Sequence, residues 1–342
     1  MALGHLALLL LVTGACADSG SQANRGKAEP IRLRLGYFPN LTHATALVGI
    51  EKGIYTRAVG PDIKIDFRQF NAGPQTVEAI FAGALDAAYM GPSPAINAFV
   101  QSQGEAIRVI SGATSGGAFL VVKPDISGPQ DLHGKKLASP QRGNTQDVAL
   151  RAWLGSQGLR SDLSGGGDVS VLPQENAQTL ETFRAGAIDG AWVPEPWASR
   201  MVIEAGAKVL VDERDLWPGR EYVTTHLIAR TAFLEEHPEA VEGLLRGQIE
   251  ADDFINANPD EARDLARSAV ARITGKQLPQ PVIDAAWANL TFTNDPIAST
   301  LRRSAIEAQK LGFLEDVDLE GIYDLSILNR LLSQAGKPEV KD

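Results

Sequence analysis

The chain is predicted to fold as two similar α/β lobes joined by a two-crossing hinge. Three observations carry this. Residues 75–95 (QTVEAIFAGALDAAYMGPSPA) return 103 positions later as residues 178–198 (QTLETFRAGAIDGAWVPEPWA), with nine of 21 positions identical. Each copy reads as an amphipathic helix, an Ala-Gly-Ala break, a short apolar strand led by Asp86 or Asp189, and a Pro-rich turn into another helix. Finally, the β-rich stretch Tyr222 to Arg230 stands where it would carry the chain back to the first lobe. A supersecondary unit repeated at this offset points to two lobes in one chain. A cleft between them would be walled by strand-end loops, where open α/β sheets bind ligands.

The elements follow in order. Residues 31–36 alternate apolar and polar and read as a strand that Tyr37-Phe38-Pro39-Asn40 breaks. Thr42 is placed to cap a helix through about Lys52. Residues 62–70 form a second alternating strand, and Ala72-Gly73-Pro74 opens the helix of the first repeat copy. The strand Asp86–Met90 ends in Gly91-Pro92-Ser93-Pro94, with a helix beyond it. Residues 106–123 hold two strand-like stretches around Gly112 to Gly117. A strand is expected at 134–138, then a loop Gln141–Thr145 into a helix, a Gly- and Ser-rich surface loop at 160–168, and strands at 169–172 and 208–211. Beyond Thr231 the pattern reads helical to the end, with Pro238, Pro259, Pro281 and Pro296 at helix starts. Lobe I is thus expected over 31–120 and 221–342 and lobe II over 121–220, with crossings near 118–122 and 218–223.

A net charge of −10 and a pI near 5.1 argue against nucleic-acid binding, which needs a basic surface. Cys16 is the sole cysteine, so no disulfide within the chain is expected. The apolar stretch Leu6 to Val12 is too short to span a bilayer. With Thr13-Gly14-Ala15-Cys16 and the polar run that follows, it resembles a bacterial lipoprotein signal. That resemblance implies a signal peptide over 1–15, lipid modification of Cys16, a flexible tether over 16–30, and an extracytoplasmic, membrane-anchored protein. An ordinary signal peptide with an incidental cysteine is the alternative.

The segments LRLGYFPN, FNAGPQTVEAIFAGALDAAYMG, LASPQRGNTQDVALRAWL and AIDGAWVPEPWA resemble solute-binding proteins of ABC transporters. The branch is the one serving aliphatic sulfonates, taurine, nitrate and bicarbonate, with a thiamine-pyrimidine branch nearby. The resemblance runs from about Ile31 to the C-terminus. It implies a type II periplasmic-binding-protein fold that closes on a small molecule and delivers it to a membrane permease, as a monomer and without a cofactor.

Four loop–helix junctions are expected at the cleft: Tyr37–His43, Ala72–Gln75, Gly91–Ser93 and Arg142–Thr145. Helix N-termini aimed at one point make an anion site, because their first N–H groups lack intrahelical partners. Gly73, Gly91 and Gly143 would admit close backbone approach, and Ser93, Asn144 and Thr145 would add donors. Asn40, His43 and Gln75 join the candidate ligand contacts, as does Ser115 in the Gly112–Gly117 stretch. Arg142, the sole cation among these loops, would pair with a sulfonate or nitrate. Tyr37, Phe38 and Trp197 are candidate apolar walls, whereas Trp192 continues a buried strand and reads as core. Glu195 is either a helix cap or, if it faces the cleft, a partner for an amino group. Asp86 and Asp189 stand at the feet of their strands, away from the ligand end, and read as turn chemistry. The five histidines show no metal-ligand spacing, and no nucleophile or phosphate-loop motif has the right strand context. A small oxyanion is the leading ligand, a pyrimidine-like heteroaromatic the alternative, and an enzyme on the same lobes the rival class.

Overall fold

The computed structural model describes residues 29–315 and 317–342. The expected signal peptide, the lipidation site at Cys16 and the tether up to residue 28 lie outside the described residues.

Two sheets organise the chain. The first has strands β1 (Ile31–Tyr37), β2 (Ile63–Gln69), β3 (Ala87–Met90), β4 (Ile107–Gly116), β10 (Val223–Arg230) and β11 (Leu290–Phe292), in the order β2-β1-β3-β10-β4-β11. The second has β5 (Ala118–Val122), β6 (Lys136–Ser139), β7 (Ser170–Pro173), β8 (Gly190–Pro194) and β9 (Lys208–Asp212), in the order β7-β6-β8-β5-β9. The orders superpose. In each, the repeat strand (β3 or β8) pairs in parallel with an early strand (β1 or β6) and antiparallel with a crossing strand (β10 or β5).

Alternation along the strands buries both sheet faces. Leu33, Leu35 and Tyr37 enter one core of the first sheet, while Ala88 and Met90 enter the other. In the second sheet Leu120, Val122 and Trp192 face one core, and Phe119, Val121, Ala191 and Val193 the other. Trp192 is fully buried, as its strand pattern implied, and its Nε1 donates to Glu213 Oε2 at 2.7 Å. The helices that matter for the cleft are α3 (Gly73–Phe81), α4 (Pro92–Gln101), α5 (Thr145–Ser156), α6 (Asn176–Arg184) and α7 (Trp197–Ala205).

Four expectations need correction. Thr42 lies within a 3-10 turn, Leu41–His43, and the α-helix starts only at Ala44, so Thr42 does not cap it. Residues 290–292, expected to be helical, form β11, because they pair with the edge of β4. The first crossing is at Gly116–Gly117, and residues 118–120 belong to the second sheet, where Phe119 and Leu120 fill its two cores. Tyr222 likewise packs into the second lobe's core, and its hydroxyl accepts from Ala118 N at 3.1 Å. Gly117 takes φ +76°, and a Cβ there would sit 2.2 Å from Leu290 Cδ2, so the crossing requires glycine.

Candidate functional site

The strand tips of both sheets meet at a small cavity of about 20 Å³. The first lobe supplies Phe38, Asn40, Thr42 and His43 from the turn after β1, Asn71 after β2, and Gly91 after β3. The second supplies Asn144, Thr145 and Gln146 at the start of α5, and Asn176 at the start of α6. Pro194 and the return-strand residues Thr224 and Thr225 complete it.

Helices α4, α5 and α6 begin at its wall, and α3 begins two residues after Asn71. None of the four has a side-chain N-cap bond, so their first-turn N–H groups are not masked by their own caps. Thr145 Oγ1, Asn176 Oδ1 and Thr225 Oγ1 are buried without a hydrogen-bond partner. Buried polar atoms are ordinarily paired, so three orphans on one chamber mark it as built for a polar occupant.

Among the described residues, every side chain lining the chamber is uncharged. His43 is included, since burial holds its pKa down to about 3. Its Nδ1 accepts from Phe38 N at 3.3 Å, which leaves Nε2 as the protonated, donating nitrogen. The Phe38 and His43 rings lie 4.3 Å apart. Attraction for an anion here would come from helix dipoles and neutral donors, with no titratable partner.

The lobes are drawn together around this chamber. Trp197 Nε1 donates to Asn40 Oδ1 at 2.9 Å, and Asn71 Nδ2 to Glu175 Oε1 at 3.3 Å. Leu41 N donates to Glu195 O at 3.2 Å. Gly91 allows the closest approach, because a Cβ there would lie 2.2 Å from Thr145 Oγ1 across the cleft.

The sequence-derived residues divide. Phe38, Asn40, His43, Gly91, Asn144 and Thr145 line the chamber together. Trp197 lines a larger cavity of about 720 Å³ next to it, which shares Asn40, Asn71 and Asn176. Gln75 faces its repeat counterpart Gln178 in a third cavity, of about 380 Å³. Gly73 packs against Pro94 below the chamber, and Ser93 is buried in the first turn of α4.

Four candidates are elsewhere. Arg142 is exposed, and its guanidinium donates to the Leu163 carbonyl, because the loop at 160–168 folds beneath it. Tyr37 shares the inward face of β1 with Leu33 and Leu35 and packs into the core. Ser115 is held between β10 and β11, where its Oγ accepts from Tyr222 N at 3.4 Å. Glu195 turns away from the chamber: its carboxylate accepts from Ser199 N and Oγ, at 3.1 and 2.8 Å, and from Asn289 Nδ2, at 2.8 Å. Burial raises its pKa, these bonds oppose the rise, and the group serves as a helix cap and a tie between lobes.

Sequence reasoning placed Thr42 at the cleft only as part of its junction, and missed Asn71, Gln146, Asn176, Pro194, Thr224 and Thr225. Asn176 had a signal, since it is the repeat counterpart of Gly73. The return-strand threonines had none, because nothing local says that β10 passes under the cleft.

Two α/β lobes with a polar chamber between their strand tips, joined by two crossings, have the architecture of the type II periplasmic-binding-protein fold. Residues 26–270 match the NMT1-like family, and the chain belongs to it. A Brucella abortus strain 2308 protein named as a candidate binding protein is 29% identical over 241 residues, covering 70% of this chain and 71% of that one. The taurine-binding periplasmic protein of Escherichia coli K12 is 29% identical over 197 residues, 57% of this chain and 59% of that one. The crystal structure of the periplasmic nitrate-binding protein NrtA from Synechocystis PCC 6803 superposes with a TM-score of 0.74 at 16% identity, covering 90% of this chain and 89% of that one. Among the described residues no helix is long and apolar enough to cross a membrane.

Proposed function

We propose that this protein is the extracytoplasmic solute-binding component of an ABC importer, holding a small oxyanion such as an alkanesulfonate, taurine or nitrate between its lobes. The observation that carries this is the chamber where the uncapped N-termini of α4, α5 and α6 converge on orphaned Thr145, Asn176 and Thr225 atoms. The absence of any lining carboxylate among the described residues removes the repulsion an anion would meet. The ligands named for the taurine-binding relative and the nitrate-binding fold neighbour support the same class. The protein binds without turnover, acts as a monomer, and hands its ligand to permease subunits. Acylated Cys16 anchors it outside the membrane, and replacing that residue with Ala should release it into the medium.

A thermal-shift screen tests the ligand class. Taurine, alkanesulfonates and nitrate go in one arm and aminopyrimidines in the other. A ligand at 100 times its Kd stabilises by about 2.7 kcal/mol, well above the detection limit. If only the aromatic amines shift the transition, the oxyanion reading is wrong and the Phe38–His43 ring pair becomes the recognition element.

A further inference from the structure

Helix α5 meets the chamber through its first two residues, Thr145 and Gln146. The N–H groups around them are spoken for. Asn144 N donates to Gln141 O at 3.1 Å, and Asp147 N and Val148 N donate to Asn144 O at 3.0 and 3.1 Å. Gly143 N goes instead to a side chain, Asp147 Oδ2, at 2.9 Å. Among the described residues, the Thr145 and Gln146 N–H groups are thus the two in this turn that no protein acceptor takes.

The carboxylate that shapes the turn is buried with its own cation. Asp147 Oδ1 accepts from Ser139 Oγ at 2.7 Å and from Arg151 Nε at 3.1 Å, and neither the Asp147 nor the Arg151 side chain is exposed. Arg151 Nη1 continues to the Asp162 carbonyl at 2.7 Å, one residue before the Leu163 carbonyl that Arg142 holds. Its Nη2 is buried without a partner. A buried ion pair with an orphaned donor stabilises a fold no better than apolar side chains of similar volume, and often less well. Stability therefore does not account for the pair, whereas the charge balance at α5 does. A helix N-terminus carries about half a positive charge. A bare carboxylate in the first turn would outweigh that half charge and repel an anion, and the Arg151 guanidinium cancels it.

We propose that Asp147 and Arg151 are positioning residues of the ligand site. Asp147 folds residues 141–145 so that two N–H groups are left for the ligand, and Arg151 removes the charge that Asp147 would set against an anion. The inference rests on the oxyanion reading and adds two residues, neither of which lines the chamber. It also gives the 160–168 loop a task, since that loop supplies the carbonyl that holds Arg151 in place.

Calorimetric titration of methanesulfonate and taurine into three variants tests it, because a charge role and a packing role predict different signs. Arg151→Met leaves the carboxylate bare and should weaken binding about tenfold. Asp147→Asn keeps an oxygen for Gly143 N and leaves the cation, so affinity should hold or rise. Combining the two changes removes both charges and should return affinity to within about threefold of the wild type. Losses in both single variants without recovery in the double variant overturn the inference and reduce the pair to packing. Unchanged affinity in Arg151→Met overturns it too. The double variant decides even where a lone buried charge prevents folding, since a loss of about tenfold there overturns the inference. Each of these results leaves the oxyanion reading standing, because the wild type binds. If the wild type binds neither sulfonate, the oxyanion reading fails and this inference fails with it.

Discussion

The two repeat copies are the same at one end and different at the other. At the strand feet the likeness extends to individual bonds. Asp86 N donates to Arg34 O at 3.0 Å, and its carboxylate takes Arg34 N at 2.9 Å. Asp189 N donates to Lys136 O at 2.7 Å, and its carboxylate takes Lys136 N at 2.9 Å. Arg34 and Lys136 stand on the equivalent strands β1 and β6. A cation at the end of the crossing strand or just beyond it closes each clamp, Arg230 on Asp86 at 3.2 Å, beside the Arg34 guanidinium, and Lys123 on Asp189 at 2.8 Å. At the strand tips the likeness ends. Gly91 and its counterpart Pro194 both line the chamber, but the first copy then opens α4 into it, while the second turns Glu195 away and brings Trp197 to the larger cavity. Each clamp ties neighbouring strands within its own lobe, so both copies keep one solution. The tips of the two copies line different parts of the cleft, so they diverge.

The largest expected effect tests the feet. Asp86 is 1% exposed and faces two arginines, so Asp86→Ala should cost about 3 kcal/mol in denaturant unfolding. Asp189 is 19% exposed, so the equivalent Asp189→Ala should cost about 1 kcal/mol. Equal losses would show that exposure does not separate the clamps. The pH dependence has a definite sign. Burial opposes ionisation of both carboxyls, but hydrogen bonds from the strand and the cations outweigh it, holding each below the usual carboxylate range. Their stabilisation is therefore full above about pH 4 and is lost as pH falls through the folded-state values. Both variants should lose less stability than the wild type in that acid window, as melting temperatures across pH would reveal.

Next comes the tip of the first copy. Gly91 has an ordinary extended backbone, φ −72°, so a side chain there strains no dihedral and chiefly obstructs Thr145 on the facing lobe, with the Thr224 carbonyl 3.4 Å from an added Cβ. Gly91→Val should weaken ligand binding about a hundredfold, equivalent to nearly 3 kcal/mol of overpacking, while leaving the lobes folded. Small-angle scattering should report a more open particle. Unchanged affinity would mean that the lobes close without this contact.

The smallest effect concerns Arg142. Its guanidinium serves the 160–168 loop, so Arg142→Ala should alter oxyanion affinity by no more than about twofold. A tenfold loss would return Arg142 to the site.

Legibility followed the same division. Strands such as β1 and β2, the helices of both copies and the architectural role of Asp86 and Asp189 were readable, since alternation, helical periodicity and a repeat are properties of neighbouring residues. Six of the candidate contacts line the chamber, because loop–helix junctions at strand ends have only one end of a sheet to occupy. Strand β11 was not readable: three residues gain their conformation from the edge of β4, more than 170 positions earlier.

By itself, then, the sequence determined two related α/β lobes, their return strand and the helix N-termini that face each other, because local pattern and a repeat encode these. Only the tertiary structure decided which side chains those junctions present. Arg142 follows Leu163, Glu195 follows Asn289, and Thr224 and Thr225 enter from a strand that local sequence assigns to no cleft. The physical reason is that a side chain's direction at a loop is set by small differences among competing partners, and those partners are supplied by distant segments of the chain.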